Sequence, residues 1–265
     1  MRKYEIALML ARRYGYTSYL EICTPTTGGT FSLVDKKQFH RRKRLMYRRS
    51  PDFSDGEPID FSTEAESGEE LFGELVRSGE RFDLVFVDGW HTYTSALRDI
   101  EFGLQLIKEG GVLLIHDCNP PNPTFAEPEY RFGLWCGVTF AAYLDIVLFT
   151  ENIHYVTVDC DYGCGIISKD QRLDPLFGSR PDATLPLLWR TLDLSQKYPF
   201  FDEIRSRLLC LISIDEFCHR VAGESHTAPG EGERGSERDI ARHVRDRATH
   251  AWDVIRRLIG GRVQT

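Results

Sequence analysis

The sequence predicts a doubly wound α/β fold: a mostly parallel sheet closed by an antiparallel hairpin. Three observations carry that expectation. Phe82–Val87 and Val112–Ile115 are short, nearly unbroken apolar runs, as in strands buried on both faces, and each stops near a carboxylate, Asp88 and Asp117. Between them Ala96, Ile100, Leu104 and Ile107 recur at helical spacing, so Thr92–Lys108 reads as an amphipathic crossover helix that covers the sheet. Earlier, the compact run Ser18–Cys23 passes straight into the Gly-bearing turn TPTTGGTF, an arrangement by which such sheets aim backbone N–H groups at a ligand. Ligands of open α/β sheets lie outside the carboxyl ends of the strands, so Asp88 and Asp117 should face one crevice.

The remaining elements follow in chain order. Glu5–Tyr14 carries Ile6, Leu8, Met9 and Leu10 and is closed by Gly15, which predicts a short helix. Lys36–Arg49 holds eight Lys or Arg in fourteen positions. It either holds an anionic group, or forms a solvated face around Phe39, Leu45 and Met46 or a strand with flanking charges. Ser50–Pro58 is a turn-rich loop, and Ile59–Phe61 begins a short strand. Ser67–Val76 is expected as a helix with Ser67 and Glu70 as its capping box. Gly110-Gly111 should cap the crossover helix. After Asp117, a proline-rich stretch with Tyr130, Phe132 and Trp135 reads as a lid or acceptor pocket over the same sheet edge, or as a structural excursion. Val138–Phe149 predicts a helix, and His154–Asp159 with Gly163–Ser168 the closing hairpin. Residues Pro175 to Pro199 read as irregular and Phe200–Val221 as one amphipathic helix. This organises the chain as one domain over residues 1–222, a flexible linker at 223–235 and an amphipathic helix at 236–260, whose apolar stripe must bury itself on its own domain or across a homodimer.

Composition narrows the function. With 265 residues, 42% hydrophobic and 12% aromatic, the chain has ample material for a packed core. A net charge of −7 argues against a dedicated nucleic-acid binder. No run approaches the roughly 18 apolar residues of a membrane span, and the opening stretch reads as an amphipathic helix rather than a signal peptide, so no membrane partner and a cytoplasmic setting are expected. Seven scattered cysteines suit reduced core thiols, and Cys160 with Cys164 lacks a second pair for a zinc site.

Among candidate chemical groups, His91 has the side chain able to take a proton at neutral pH, or else it fixes the Gly89-Trp90 loop by hydrogen bonding. Asp88 and Asp117 either serve a ligand, or cap the following helix and tie down the proline loop. Cys118, beside Asp117, has no base placed for it in sequence.

The segments VDGWHTY (Val87–Tyr93) and KEGGVLLIHD (Lys108–Asp117), with SYLEI before a glycine turn, resemble the class I methyltransferases that use S-adenosylmethionine, in particular the bacterial branch whose strand ends VDG-x-H-x-Y. The resemblance runs over roughly Glu5–Ser168. It implies a seven-stranded Rossmann-like methyltransferase fold and methyl transfer to a hydroxyl of a small-molecule or sugar acceptor held under the later loops. It implies a donor lying across Glu21, Thr24, Gly28, Gly29 and Thr30, with Asp60 and Asp88 also facing it. It implies a divalent ion such as Mg²⁺ on Asp88, His116 and Asp117, with His91 and Asp88 as the catalytic pair. Two positions depart from the family pattern: Cys23 stands where members carry glycine, and Leu45–Arg48 holds no acid where members grip the ribose. A methyltransferase-like binding module without catalysis is therefore the alternative.

Overall fold

The computed structural model describes residues 1–169, 173, 175–178 and 180–223. All but the first residue of the expected linker at 223–235, and the whole expected helix at 236–260, lie outside the described residues.

The first helix, α1 (Lys3–Tyr14), closes on Gly15, whose φ of 71° is the left-handed conformation that glycine adopts without a Cβ clash. The parallel part of the sheet comprises β1 (Ser18–Cys23), β2 (Arg41–Met46), β3 (Phe61–Ser62), β4 (Phe82–Asp88) and β5 (Ile107–Ile115). A hairpin of β6 (His154–Val158) and β7 (Cys164–Ser168) adds antiparallel to β5, and β8 (Leu211–Ile212) pairs with β6. Among the described residues this gives the order β3-β2-β1-β4-β5-β7-β6-β8. The doubly wound, mostly parallel reading holds, with one two-residue strand more than the seven expected.

Helices cover both faces, which is why the central strands are apolar throughout. One face packs α2 (Glu69–Arg77), α3 (Tyr93–Leu106), α4 (Thr139–Phe149), α5 (Thr184–Arg190) and α6 (Leu194–Leu208) over residues such as Val85, Val87, Leu113 and Ile115. The other packs α1 and α7 (Ile214–Ala222) over Leu84, Phe86, Val112 and Leu114.

Several expected boundaries move. The capping box at Ser67 does not form: α2 starts after Gly68 without a side-chain cap, and the Ser67 hydroxyl instead accepts the Glu69 N–H at 3.5 Å. The helix α3 stops at Leu106, and Ile107 turns extended to pair with Phe82 as the start of β5. Gly110, with φ 73°, therefore serves the register shift inside β5 and not a helix cap, and Gly111 passes so close to the Asp83 carbonyl that a Cβ would lie 2.7 Å away.

The stretch read as irregular contains α5 and the first part of α6. Pro186 falls in the first turn of α5, where no intrahelical N–H is needed, and Asp193 with Gln196 forms a reciprocal cap for α6. Both are pinned by Asp145, which accepts from Trp189 Nε1 at 2.6 Å and pairs with Lys197 Nζ at 2.6 Å. The single helix expected at Phe200–Val221 is broken: Ile204 is non-helical, Cys210 takes φ 47°, Leu211-Ile212 joins the sheet, and Ser213 caps α7 by accepting from the Glu216 N–H at 3.1 Å.

The basic run is a strand with its charges paired. Arg44 is fully buried and donates to both oxygens of Asp55, while Arg42 meets Glu57 and Lys43 meets Glu80.

Candidate active site

Strands β4 and β5 are adjacent and parallel with Val87 beside Ile115, so the residues following them emerge side by side. They open into a cavity of about 280 Å³ whose lining includes Asp88, His91, His116 and Asp117, joined by Thr26 and Thr27 from the turn after β1, Lys3 from α1 and Asp161 from the hairpin. Gly89 makes the exit from β4 possible. A Cβ there would lie 2.1 Å from the Asp99 carboxylate and 2.5 Å from the Tyr47 hydroxyl, so only glycine fits over that buried pair.

Charge is concentrated here. Asp88 Oδ2 pairs with Lys3 Nζ at 2.6 Å, and Asp88 Oδ1 lies 3.3 Å from His91 Nε2 and 3.6 Å from His116 Nδ1. Asp117 Oδ2 lies 3.3 Å from His91 Nε2 and 3.1 Å from His116 Nδ1. The contacts of His116 are electrostatic and not aligned hydrogen bonds: both its ring nitrogens are buried without a hydrogen-bond partner. One atom each of Asp88, His116 and Asp117 fall within 4.8 Å of one another, the spacing of a shared cation.

The titration of these groups follows from the geometry. Burial by itself lowers the His116 pKa, but Asp117 and Asp88 overcome it and hold the imidazole up at about 10. His91 is raised in the same way, against its burial, by Asp117 and Asp88. Asp88 is held well below the carboxylate range despite burial, by Lys3 and His116, and Asp117 is lowered by His116 and His91. His116 therefore carries its proton at neutral pH.

Of the two structural alternatives for the carboxylates, the helix cap does not form, while Asp117 does reach the proline-rich segment through the Cys136 thiol. The N-cap of α3 is Thr92, without a side-chain cap, so Asp88 does not cap that helix. The carboxylate of Asp117 turns to the two histidines, on a backbone held at φ 61°, a left-handed conformation uncommon outside glycine. His91 makes contacts on both sides of its ring. Its Nε2 faces the carboxylates while its Nδ1 meets the Trp135 carbonyl at 2.8 Å, tying the β4 turn to the lid. Cys118 is buried and its thiol is pushed up by burial, which removes it as a nucleophile.

The proposed donor residues scatter more. Gly29 lies exposed on the turn from β1, while Thr24 and Thr30 are buried. Thr27 donates its hydroxyl to the Asp88 carbonyl and so clamps the end of β1 to the end of β4. Glu21 is fully buried; burial pushes its carboxyl up to about 8, Tyr19 donates to its Oε2 at 2.7 Å, and its Oε1 has no partner. Asp60 is exposed at the start of β3, where its carboxylate accepts the Arg44 N–H at 2.9 Å. Where an acid was missing after β2, Tyr47 donates to Asp99 Oδ2 at 2.6 Å beneath the Gly89-Trp90 turn.

The proline-rich segment does lie over the cavity. Trp90, Tyr130 and Trp135 cluster with ring centroids 4.9 to 5.3 Å apart, and Trp135 Nε1 donates to the Glu127 carbonyl at 2.7 Å. Phe132, in the chain between the cavity-lining Tyr130 and Gly133, is 97% exposed. Sequence reasoning missed Lys3 and Asp161: only the packing of α1 and the left-handed turn at Asp161 and Tyr162 bring them in.

Residues 14–118 match the family model described as a methyltransferase domain. None of the curated proteins matches the chain. Among solved structures, the O-methyltransferase TomG of Streptomyces achromogenes, which is involved in tomaymycin synthesis and was crystallised with SAM, is 14% identical, with a TM-score of 0.47 over 63% of this chain and 78% of that one. An O-methyltransferase of Bacillus cereus in complex with SAH is 13% identical, with a TM-score of 0.43 over 62% and 78%. At such distance the likeness carries neither ligand nor substrate across.

Proposed function

From the match of residues 14–118 to the methyltransferase-domain model, we propose that the chain transfers a methyl group from S-adenosylmethionine to a hydroxyl of a small molecule or sugar, assisted by a divalent cation on Asp88, His116 and Asp117. The observation that carries this reading is the meeting of two carboxylates and two imidazoles in one cavity at the ends of β4 and β5. The residues fit a cation, because His116 presents buried ring nitrogens without hydrogen-bond partners to two carboxylates. Two oxygens and an imidazole suit Mn²⁺ or a similar transition ion as well as Mg²⁺.

Methyl transfer to oxygen is an in-line displacement: the acceptor oxygen attacks the methyl carbon, the carbon–sulfur bond breaks, and the acceptor proton must leave. A bound divalent ion supplies Lewis acidity at the acceptor oxygen. His91 is the proton acceptor, facing the cavity beside both carboxylates and oriented by the Trp135 carbonyl. The aromatic group of Trp90, Tyr130 and Trp135 shields the reacting atoms from water and offers the acceptor a stacking surface. The donor lies along Thr24–Thr30, where Gly29 leaves open space.

The test is calorimetric titration with S-adenosylmethionine and with its demethylated product, followed by melting curves with and without Mg²⁺ or Mn²⁺ for the parent, Asp88→Asn and Asp117→Asn. A ligand that binds only the folded state raises the parent's melting temperature, and both variants should lose the metal-dependent rise. No metal-dependent rise in the parent, even with donor present, sinks the metal assignment. Absence of donor binding leaves the non-catalytic module instead.

A further inference from the structure

The cluster contains a cation that the proposed chemistry does not use. Lys3, on the first turn of α1, lines the cavity and sets its ammonium 2.6 Å from Asp88 Oδ2. Its backbone N–H donates to Asp161 Oδ2 at 3.2 Å, and Arg2 Nη1 pairs with Asp161 Oδ1 at 3.2 Å, so the start of α1 is pinned at two points across the site. The ammonium occupies one oxygen of Asp88 while the two histidines face the other. An ammonium and a divalent ion about 4 Å apart repel by several kcal/mol even at an effective dielectric constant of about 20, so both cannot hold the same carboxylate at full strength.

We infer that Lys3 is a positioning residue, a tethered counter-cation that balances and orients Asp88 in the cation-free site and yields Oδ2 when a divalent ion binds. Site occupancy is thereby coupled to the first turn of α1. The inference rests on the metal assignment made above and adds a competitor to it. Removing the ammonium should strengthen cation binding. Lys3→Gln frees an uncompensated buried carboxylate, which is costly without a cation and relieved by one.

The experiment is titration of the full chain with Mn²⁺ alone, by calorimetry, for the parent, Lys3→Gln and Lys3→Arg. Lys3→Gln should bind Mn²⁺ at least about tenfold more tightly than the parent, and Lys3→Arg, which keeps the charge, should bind like the parent. The melting temperature of Lys3→Gln should fall below the parent's without metal and recover with it, a pattern that a merely structural lysine does not produce. Should Lys3→Gln fail to fold, the parent answers alone: saturating Mn²⁺ should raise the acylation rate of Lys3 by an amine-reactive ester, read by peptide mass analysis. If the parent binds Mn²⁺ but Lys3→Gln binds no more tightly, or acylation does not change, the counter-cation role is overturned and the metal site stands. If neither chain binds Mn²⁺, both fall.

Discussion

Glu21 offers the most quantitative check on the structure. It is fully buried, directly opposite Arg44 on β2 and two positions before the one opposite Asp88 on β4, and its carboxyl is pushed from 4.5 up to about 8, by burial first, with a lesser contribution from Asp88. A carboxyl raised in the folded state binds its proton more tightly there than in the unfolded chain. Stability is therefore highest below the unfolded value and is lost as pH rises towards the folded one. One pKa unit corresponds to 1.36 kcal/mol, so between about pH 5 and pH 8 this residue alone should withdraw about 3 kcal/mol. Glu21→Gln keeps the shape and an oxygen for the Tyr19 hydroxyl but cannot ionise. Urea unfolding of parent and variant, followed by circular dichroism at several pH values across that window, gives the difference directly. The histidines and other acids are common to both chains and cancel to first order. The parent should lose about 3 kcal/mol relative to Glu21→Gln between the ends of the window. A difference that stays constant with pH would refute a neutral, buried Glu21, and would return it to the role of a charged donor ligand.

Cation binding at neutral pH must displace the proton that Asp117 and Asp88 hold on His116 up to about 10, so Mn²⁺ titrations in buffers of different ionisation enthalpy should reveal release of about one proton or more, and affinity should rise with pH. Asp83 accepts from the Thr17 and Ser18 N–H groups at 2.9 and 2.8 Å and pairs with Lys108 at 2.8 Å; although burial alone would raise its pKa, Lys108 and Ser18 bring it down to about 2. Asp83→Asn should therefore cost about 2 kcal/mol at neutral pH in urea unfolding. Because the carboxylate's pKa is depressed on folding, that gap should close as pH falls from about 4 towards 2. Tyr47→Phe removes the hydroxyl that donates to Asp99 and accepts from the Trp90 N–H, and should lower stability by about 1 to 3 kcal/mol in thermal or urea melts while leaving Mn²⁺ affinity unchanged.

What the sequence makes legible is what repeats locally. The runs Phe82–Val87 and Val112–Ile115 are apolar because both faces of those strands are covered, and two adjacent parallel strands in register must deliver Asp88 and Asp117 to one place. The reach of Lys3 is a different matter. It sits 85 positions before Asp88, and its approach depends on how Ile6, Ala7 and Leu10 seat α1 on the sheet, which periodicity reveals as a buried face without saying where that face docks. Asp161 is delivered by two consecutive non-glycine residues at positive φ, a turn that composition does not announce. Prolines hid α5 and α6, since Pro186 sits in a first turn and Pro199 is tolerated inside a helix that the Asp193 cap and the Asp145 contacts hold in place. The acid absent from the end of β2 is the subtlest case. A carboxylate does stand near that strand end, but it is Asp99 from α3, reached through the Tyr47 hydroxyl and sealed under Gly89.

The charges of the cavity connect the proposed chemistry to its order of events. Asp88, Asp117 and Asp161 face Lys3, a protonated His116 and a His91 whose pKa the carboxylates raise, so much of their charge is already compensated before any cationic ligand arrives. Burial makes any uncompensated charge there expensive. On the proposed reading, the donor's sulfonium brings one positive charge and a divalent ion two, and either must expel positive charge on entry. The charges able to leave are the proton of His116 and the tethered ammonium of Lys3. On the same reading, a cation drawing on Asp88 and Asp117 would weaken the field that raises the His91 pKa and so favour its Nε2 as a proton acceptor. On that reading acceptor deprotonation would be tied to the presence of the other reactants.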